Sequence, residues 1–107
     1  MTSPDSFIQE TLNAHPVVVF SKSWCGYCTR VKGLFTKIGV TYHDVDLEKV
    51  SNGSGIQQTL KKMTGQSTVP SVWIGKKFVG GCDDTHRLHS NGKLKELLQN
   101  AQVSSNL

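Results

Sequence analysis

Three cysteines carry the reactive potential of this 107-residue chain, two as Cys25-Gly26-Tyr27-Cys28 and the third at Cys82. An odd count argues against a secreted disulfide framework, which pairs its cysteines. A structural zinc centre needs four ligands, and no second paired cluster of Cys or His answers the two that Cys25 and Cys28 offer. His86 and His89 read as ordinary helix histidines. The C-x-x-C spacing suits thiol exchange if Cys25 opens a helix, because free N–H groups and the positive end of the helix dipole favour an anion there. Lys22, Arg30 and Lys32 lie close in sequence and act in the same sense. Such surroundings lower a cysteine pKa from about 8.5 into the range of roughly 3.5 to 7.5. Cys25 is therefore expected to be the nucleophile. Cys28, one turn into the helix on the same side, has fewer free donors and suits a resolving thiol.

These residues need elements to hold them. Val17 to Phe20 is a short continuous β-branched and aromatic run, the pattern of a central strand buried on both faces. From Tyr27 onward, Val31, Leu34, Phe35 and Ile38 recur at helical spacing, with Gly39 ready to end the helix. Residues 40–47 make a second extended run, which predicts a right-handed parallel crossover. Before this unit, Ser3 and Pro4 mark a helix start and His15-Pro16 its stop. After it, residues 51–55 read as a loop. They lead into a helix with Ile56, Leu60 and Met63 on its core face, ended by Thr64-Gly65. Val72-Trp73-Ile74 and Phe78-Val79 around Gly75-Lys76-Lys77 predict an antiparallel hairpin, with the glycine supplying positive φ. Asp83 or Asp84 is expected to cap a helix through Leu88, and Gly92 to separate it from a last helix with Leu94, Leu97, Leu98 and Ala101. Residues 103–107 are expected to fray.

Two further segments are chemically suggestive. Pro70 precedes a strand, at the one position where its missing N–H does little harm, and it forces Val69 extended. An extended backbone with open polar groups can pair with a peptide-like ligand. Gly80-Gly81-Cys82-Asp83-Asp84 joins pliant backbone to a helix start, a place for a carboxylate.

Together, Cys25-Gly26-Tyr27-Cys28 after a buried strand, Thr68-Val69-Pro70 about 40 residues on and Gly80-Gly81-Cys82-Asp83 about 10 beyond resemble the glutaredoxins of the dithiol class. The resemblance runs from about Val17 to Leu98. It implies an α/β thioredoxin-like fold, a four-stranded mixed β-sheet flanked by about five α-helices, with a cis bond between Val69 and Pro70 facing Cys25. It implies reduction of protein–glutathione mixed disulfides and protein disulfides, with glutathione as co-substrate. Lys22 and Gln57 would hold the glycine carboxylate of glutathione, and Tyr27 would flank the tripeptide. Thr68, Val69 and Pro70 would offer the backbone that pairs with its cysteinyl part, and Gly81, Cys82 and Asp83 would receive the γ-glutamyl end. Ser67 departs from the Arg or Lys often found before Thr-Val-Pro, which removes one carboxylate contact.

Gly26 stands where the family usually carries proline. In glutaredoxins a small residue here is associated with dimers that hold a [2Fe-2S] cluster through two Cys25-type thiolates and two glutathiones. The expectation is thus a monomer without metal, or a dimer if Cys25 ligates a cluster. A thioredoxin-like general reductase is a further alternative, since Trp24-Cys25-Gly26 partly matches that family's active site.

Composition bounds the rest. At 36% hydrophobic and 19% charged residues, the chain suits one domain spanning 1–107, with a core over about 15–101. The net charge of +4 is scattered, without the clustered stripe of a nucleic-acid binder. The longest apolar run is the four residues Val17 to Phe20, where a membrane helix needs about 20. The first 14 residues contain Asp5 and Glu10 and no Lys or Arg, unlike a signal or transit segment. A cytoplasmic location is expected, or an organellar one if a transit peptide has been removed.

Overall fold

A computed structural model describes residues 3–107; Met1 and Thr2, the first residues of the expected one-domain span, lie outside the described residues. The Ser3 hydroxyl accepts the Ser6 amide N–H at 3.2 Å and Pro4 takes the first helical position, so α1 spans Pro4–Ala14. Extended His15 ends it ahead of Pro16, since the residue before a proline is barred from the helical region. β1 (Val17–Ser21) is buried at every position, as its unbroken apolar run requires. α2 (Gly26–Lys37) follows, and Gly39, at φ 73°, takes the left-handed conformation just past its end.

β2 is shorter than the extended run suggested. It covers only His43–Asp46, because Val40 still bonds back to the Phe35 carbonyl at 2.9 Å and closes the preceding helix. α3 (Gly53–Thr64) begins inside the segment read as a loop. Left-handed Asn52 turns the chain into it, and a Cβ on Gly53 would lie 1.8 Å from the Leu47 carbonyl oxygen. The glycine is there for close approach. Met63, assigned to the core face, is 41% exposed, and Ile56 and Leu60 alone bury that face.

The hairpin forms as β3 (Ser71–Ile74) and β4 (Lys77–Gly80), antiparallel, with Gly75 and Lys76 both at positive φ in its two-residue turn. α4 (Cys82–Ser90) is capped by Gly81 instead of Asp83 or Asp84. Asp84 works from the third helical position, where its carboxylate accepts the Gly81 N–H at 3.1 Å. α5 (Lys93–Asn100) completes the chain. In the tail, Val103 N–H donates to the Leu98 carbonyl at 2.8 Å and Asn106 N–H to that of Ile38 at 2.6 Å.

The sheet order is β2-β1-β3-β4, with β1 parallel to β2 and antiparallel to β3, so the sheet is mixed. Alternation along β1 divides the core. Val17 and Val19 face Val31, Phe35, Leu94 and Leu98 on the α2 and α5 side; Val18 and Phe20 face Ile8, Leu12, Ile56 and Leu60 on the α1 and α3 side. Helices cover both faces of the thioredoxin-like fold, and the parallel β1–α2–β2 crossover delivers Cys25 just past the C-terminal end of a strand with no solvent-facing residue. No helix among the described residues is long and apolar enough to cross a membrane.

Candidate active site

Cys25 is the N-cap residue of α2, in extended conformation at φ −83°. Its Sγ accepts the amide N–H of Cys28 at 3.4 Å, so the sulfur takes the capping place that Ser or Asp fills elsewhere. The helix start expected at this cysteine is therefore real, and a free donor of the first turn, the Cys28 amide, points at its sulfur. On its other side the Cys25 thiol donates to the Val69 carbonyl at 3.7 Å, across the cis bond between Val69 and Pro70. Cys25 is 7% exposed and Cys28 only 1%. The Cys28 thiol is pushed up to about 12, by burial first and then by its contact with Cys25. It stays protonated at neutral pH. The two thiols thus differ in the way exchange chemistry needs, one at the rim and one held in reserve.

Beside this pair lies an open cavity of about 470 Å³ lined by Tyr27, Gln66, Thr68, Val69, Pro70 and the 81–84 segment. It brings together seven of the predicted contact residues: Tyr27, Thr68, Val69, Pro70, Gly81, Cys82 and Asp83. Lys22 and Gln57 do not line it. The Lys22 ammonium lies 5.7 Å from the centroid of the Trp24 ring, and the Gln57 amide donates to the Ser67 carbonyl at 2.6 Å. Gln66 and Asp84 line it without having been predicted. Asp84 betrays its place through spacing, three residues after Gly81, the position from which an acidic side chain reaches back to the N-cap amide. Gly80 is required by the same carboxylate: at φ 132°, its Cβ would lie 2.3 Å from the Asp84 Oδ2.

Two cations lie over the rings that flank the nucleophile. Arg30 lies 5.9 Å from the Tyr27 ring centroid, mirroring Lys22 over Trp24. Cys82 stands 5% exposed at the start of α4, its thiol pushed up by burial against the opposing pull of Arg30. His86 Nδ1 is 3.5 Å from its sulfur but 2.8 Å from its carbonyl oxygen. The shorter contact needs a proton on Nδ1, so His86 is no base for the thiol. All three cysteines are free thiols.

The glutaredoxin family model matches residues 17–79. Glutaredoxin-C6 of Oryza sativa subsp. japonica is 50% identical over 93 residues, covering 87% of this chain and 83% of that relative. Mitochondrial glutaredoxin-2 of Bos taurus is 44% identical over 104 residues, covering 97% of this chain and 66% of its own length. The crystal structure of a buckwheat glutaredoxin–glutathione complex superposes with a TM-score of 0.90 at 44% identity, covering 92% of this chain and 90% of that one. With paired cysteines at C-x-x-C spacing on a thioredoxin-like fold, the chain belongs to the glutaredoxin family and is a glutathione-dependent thiol–disulfide oxidoreductase.

Proposed function

We propose that the enzyme reduces mixed disulfides between glutathione and protein cysteines, and a narrower set of protein disulfides. The observation that carries this is the Cys25 sulfur at the N-terminus of α2, bonded to the Cys28 amide and abutting the cavity through the Val69 carbonyl. The cavity is open, with peptide-pairing backbone at Thr68 and Val69 on one side and the α4 start at Gly81, Cys82 and Asp83 on the other. Glutathione has a matching design: a cysteinyl amide pair in the middle and a carboxylate near each end. On this reading the γ-glutamyl carboxylate goes to the α4 start, the cysteinyl part lies against Thr68, Val69 and Pro70, and Tyr27 flanks it. Lys22 and Gln57 take the glycine carboxylate by swinging from Trp24 and Ser67 respectively. Thiols must be kept reduced for this, which suits the cytoplasm or an organelle matrix.

The Cys25 thiolate attacks the glutathione sulfur of a protein mixed disulfide; a Cys25–glutathione disulfide forms and the protein leaves as thiolate, which takes up a proton. The thiolate of a second glutathione then attacks the glutathione sulfur of that adduct, releasing oxidised glutathione and restoring the Cys25 thiolate. With a protein disulfide, Cys25 becomes joined to the substrate. Cys28 then attacks the Cys25 sulfur, its proton passing to the departing substrate thiolate, and leaves a Cys25–Cys28 disulfide, which two glutathiones reduce. Turnover of a glutathionylated peptide with glutathione and a recycling reductase tests the reading. Failure to reduce it, with the protein folded, overturns the reading.

A cluster-bridged dimer is the second reading. Among the described residues no group of three or more His, Cys, Asp or Glu could hold a metal; on this reading the cluster would be held by the Cys25 thiolate of each copy and two glutathiones. At Gly26 a Cβ would meet nothing within 4 Å, so the space beside the motif is open on the side where a second copy would come. The visible spectrum and native mass after anaerobic purification with glutathione decide: a coloured dimer supports this reading and a colourless monomer removes it.

A further inference from the structure

Trp24, next to the nucleophile, is among the described residues the most exposed large hydrophobic side chain, at 71%, yet its one polar atom is engaged. Its indole N–H donates to Glu48 Oε1 at 2.7 Å. The Glu48 backbone is tied to the same turn, its amide donating to Asp46 Oδ1 at 2.9 Å, while the other Asp46 oxygen accepts the Ser23 hydroxyl. The chain of contacts closes on itself, from Ser23 through Asp46 and Glu48 to Trp24, the residue after Ser23. Until glutathione draws it away, Lys22 adds a cation over the ring. The single polar atom of the side chain is therefore satisfied, and what faces water is a preset sheet of ring carbon.

We infer that Trp24 is the plate on which the polypeptide part of a protein substrate docks, favouring substrates with an apolar side chain beside the reactive cysteine. The inference rests on the oxidoreductase reading above. The cavity occupies the flank of Cys25 toward β3, β4 and α4, and Trp24 is not among its lining residues. Trp24 leans the other way, onto Glu48 beyond β2. With glutathione in the cavity, the leaving sulfur stands beyond the glutathione sulfur, in line with the attack. The polypeptide attached to it crosses the rim around a nucleophile only 7% exposed, and the unfilled flank is the one Trp24 forms. A prearranged aromatic loses little side-chain entropy on contact, which is why tryptophan so often anchors an interface.

The test compares two glutathionylated peptides that differ only in carrying leucine or serine on each side of the cysteine, with the small mixed disulfide of glutathione and 2-mercaptoethanol as reference. In the unmodified enzyme the leucine peptide should have the lower KM by about tenfold, with kcat equal. Trp24→Ala should erase that difference and leave the small substrate unaffected. Trp24→Phe, keeping a carbon face, should retain most of it, and Glu48→Ala, freeing the indole, should reduce it by about threefold. Equal KM for both peptides in the unmodified enzyme overturns the inference. So does a leucine preference that survives Trp24→Ala, or a Trp24→Ala loss that is the same for the small substrate. Inability of the unmodified enzyme to reduce the small mixed disulfide instead overturns the oxidoreductase reading.

Discussion

The amide N–H of Cys28 points at the sulfur of Cys25 across 3.4 Å. One residue thus supplies both the backbone donor that holds the Cys25 sulfur and the thiol placed to displace its adducts. The roles separate by mutation. Cys25→Ser should abolish reduction of glutathionyl mixed disulfides, by at least about a thousandfold in kcat/KM. Cys28→Ser keeps the backbone donor and should leave that activity within about threefold while losing protein-disulfide reduction. Parallel assays on a glutathionylated peptide and a disulfide-bonded protein check this; equal loss of both activities in Cys28→Ser means that both thiols are obligatory.

Burial of Cys28 has a consequence for stability. Its thiol rises from an ordinary 9.0 to about 12 in the folded protein. Between those values the unfolded chain gives up this proton first, so the native state binds more protons and stability falls as pH rises. The contribution is fully present below about pH 9 and lost toward pH 12. The slope approaches, at most, about 1.4 kcal/mol per pH unit for the one proton. Urea unfolding at pH 8, 9 and 10 should show a decline that Cys28→Ala flattens; parallel declines in the two proteins assign the effect elsewhere.

Much of this arrangement was legible because local and tertiary demands agree. Val17 to Phe20 reads as a central strand and is one, since it meets helices on both faces. Cys25 reads as a helix start and caps α2 with its own sulfur. The misreadings fall where distant groups decide. Gly53 looks like loop punctuation, but the Leu47 carbonyl needs that space and the helix begins there. Lys76 adopts positive φ because the hairpin turn requires it at both central residues. The bonds from Gln57 to Ser67 and from Trp24 to Glu48 join side chains to partners distant in the chain, for which spacing carries no signal.

Two glycines should respond to alanine in opposite directions. Gly33 lies exposed inside α2, and a Cβ there meets nothing within 4 Å. Gly33→Ala should stabilise by about 0.5–1 kcal/mol through helix propensity alone. At Gly53 the new carbon would press into the Leu47 backbone, so Gly53→Ala should destabilise by more than about 2 kcal/mol. Midpoints of chemical unfolding decide; a neutral Gly53→Ala means that the turn from Leu47 into α3 yields without cost.

Ser67 tests how far the missing cation matters. It is exposed, and its carbonyl accepts the Gln57 amide at 2.6 Å just ahead of Thr68 at the cavity. An arginine side chain starting here stands on the side of Gln57, which on the proposed reading takes the glycine carboxylate of bound glutathione. An exposed ion pair is worth about 0.2–1 kcal/mol. Ser67→Arg should accordingly lower the KM for glutathione by up to about fivefold without changing kcat, and added salt should shrink the gain. A KM that does not move shows that Lys22, Gln57 and the start of α4 already saturate the carboxylate contacts, whereas a gain insensitive to salt points to packing by the longer side chain in place of its charge.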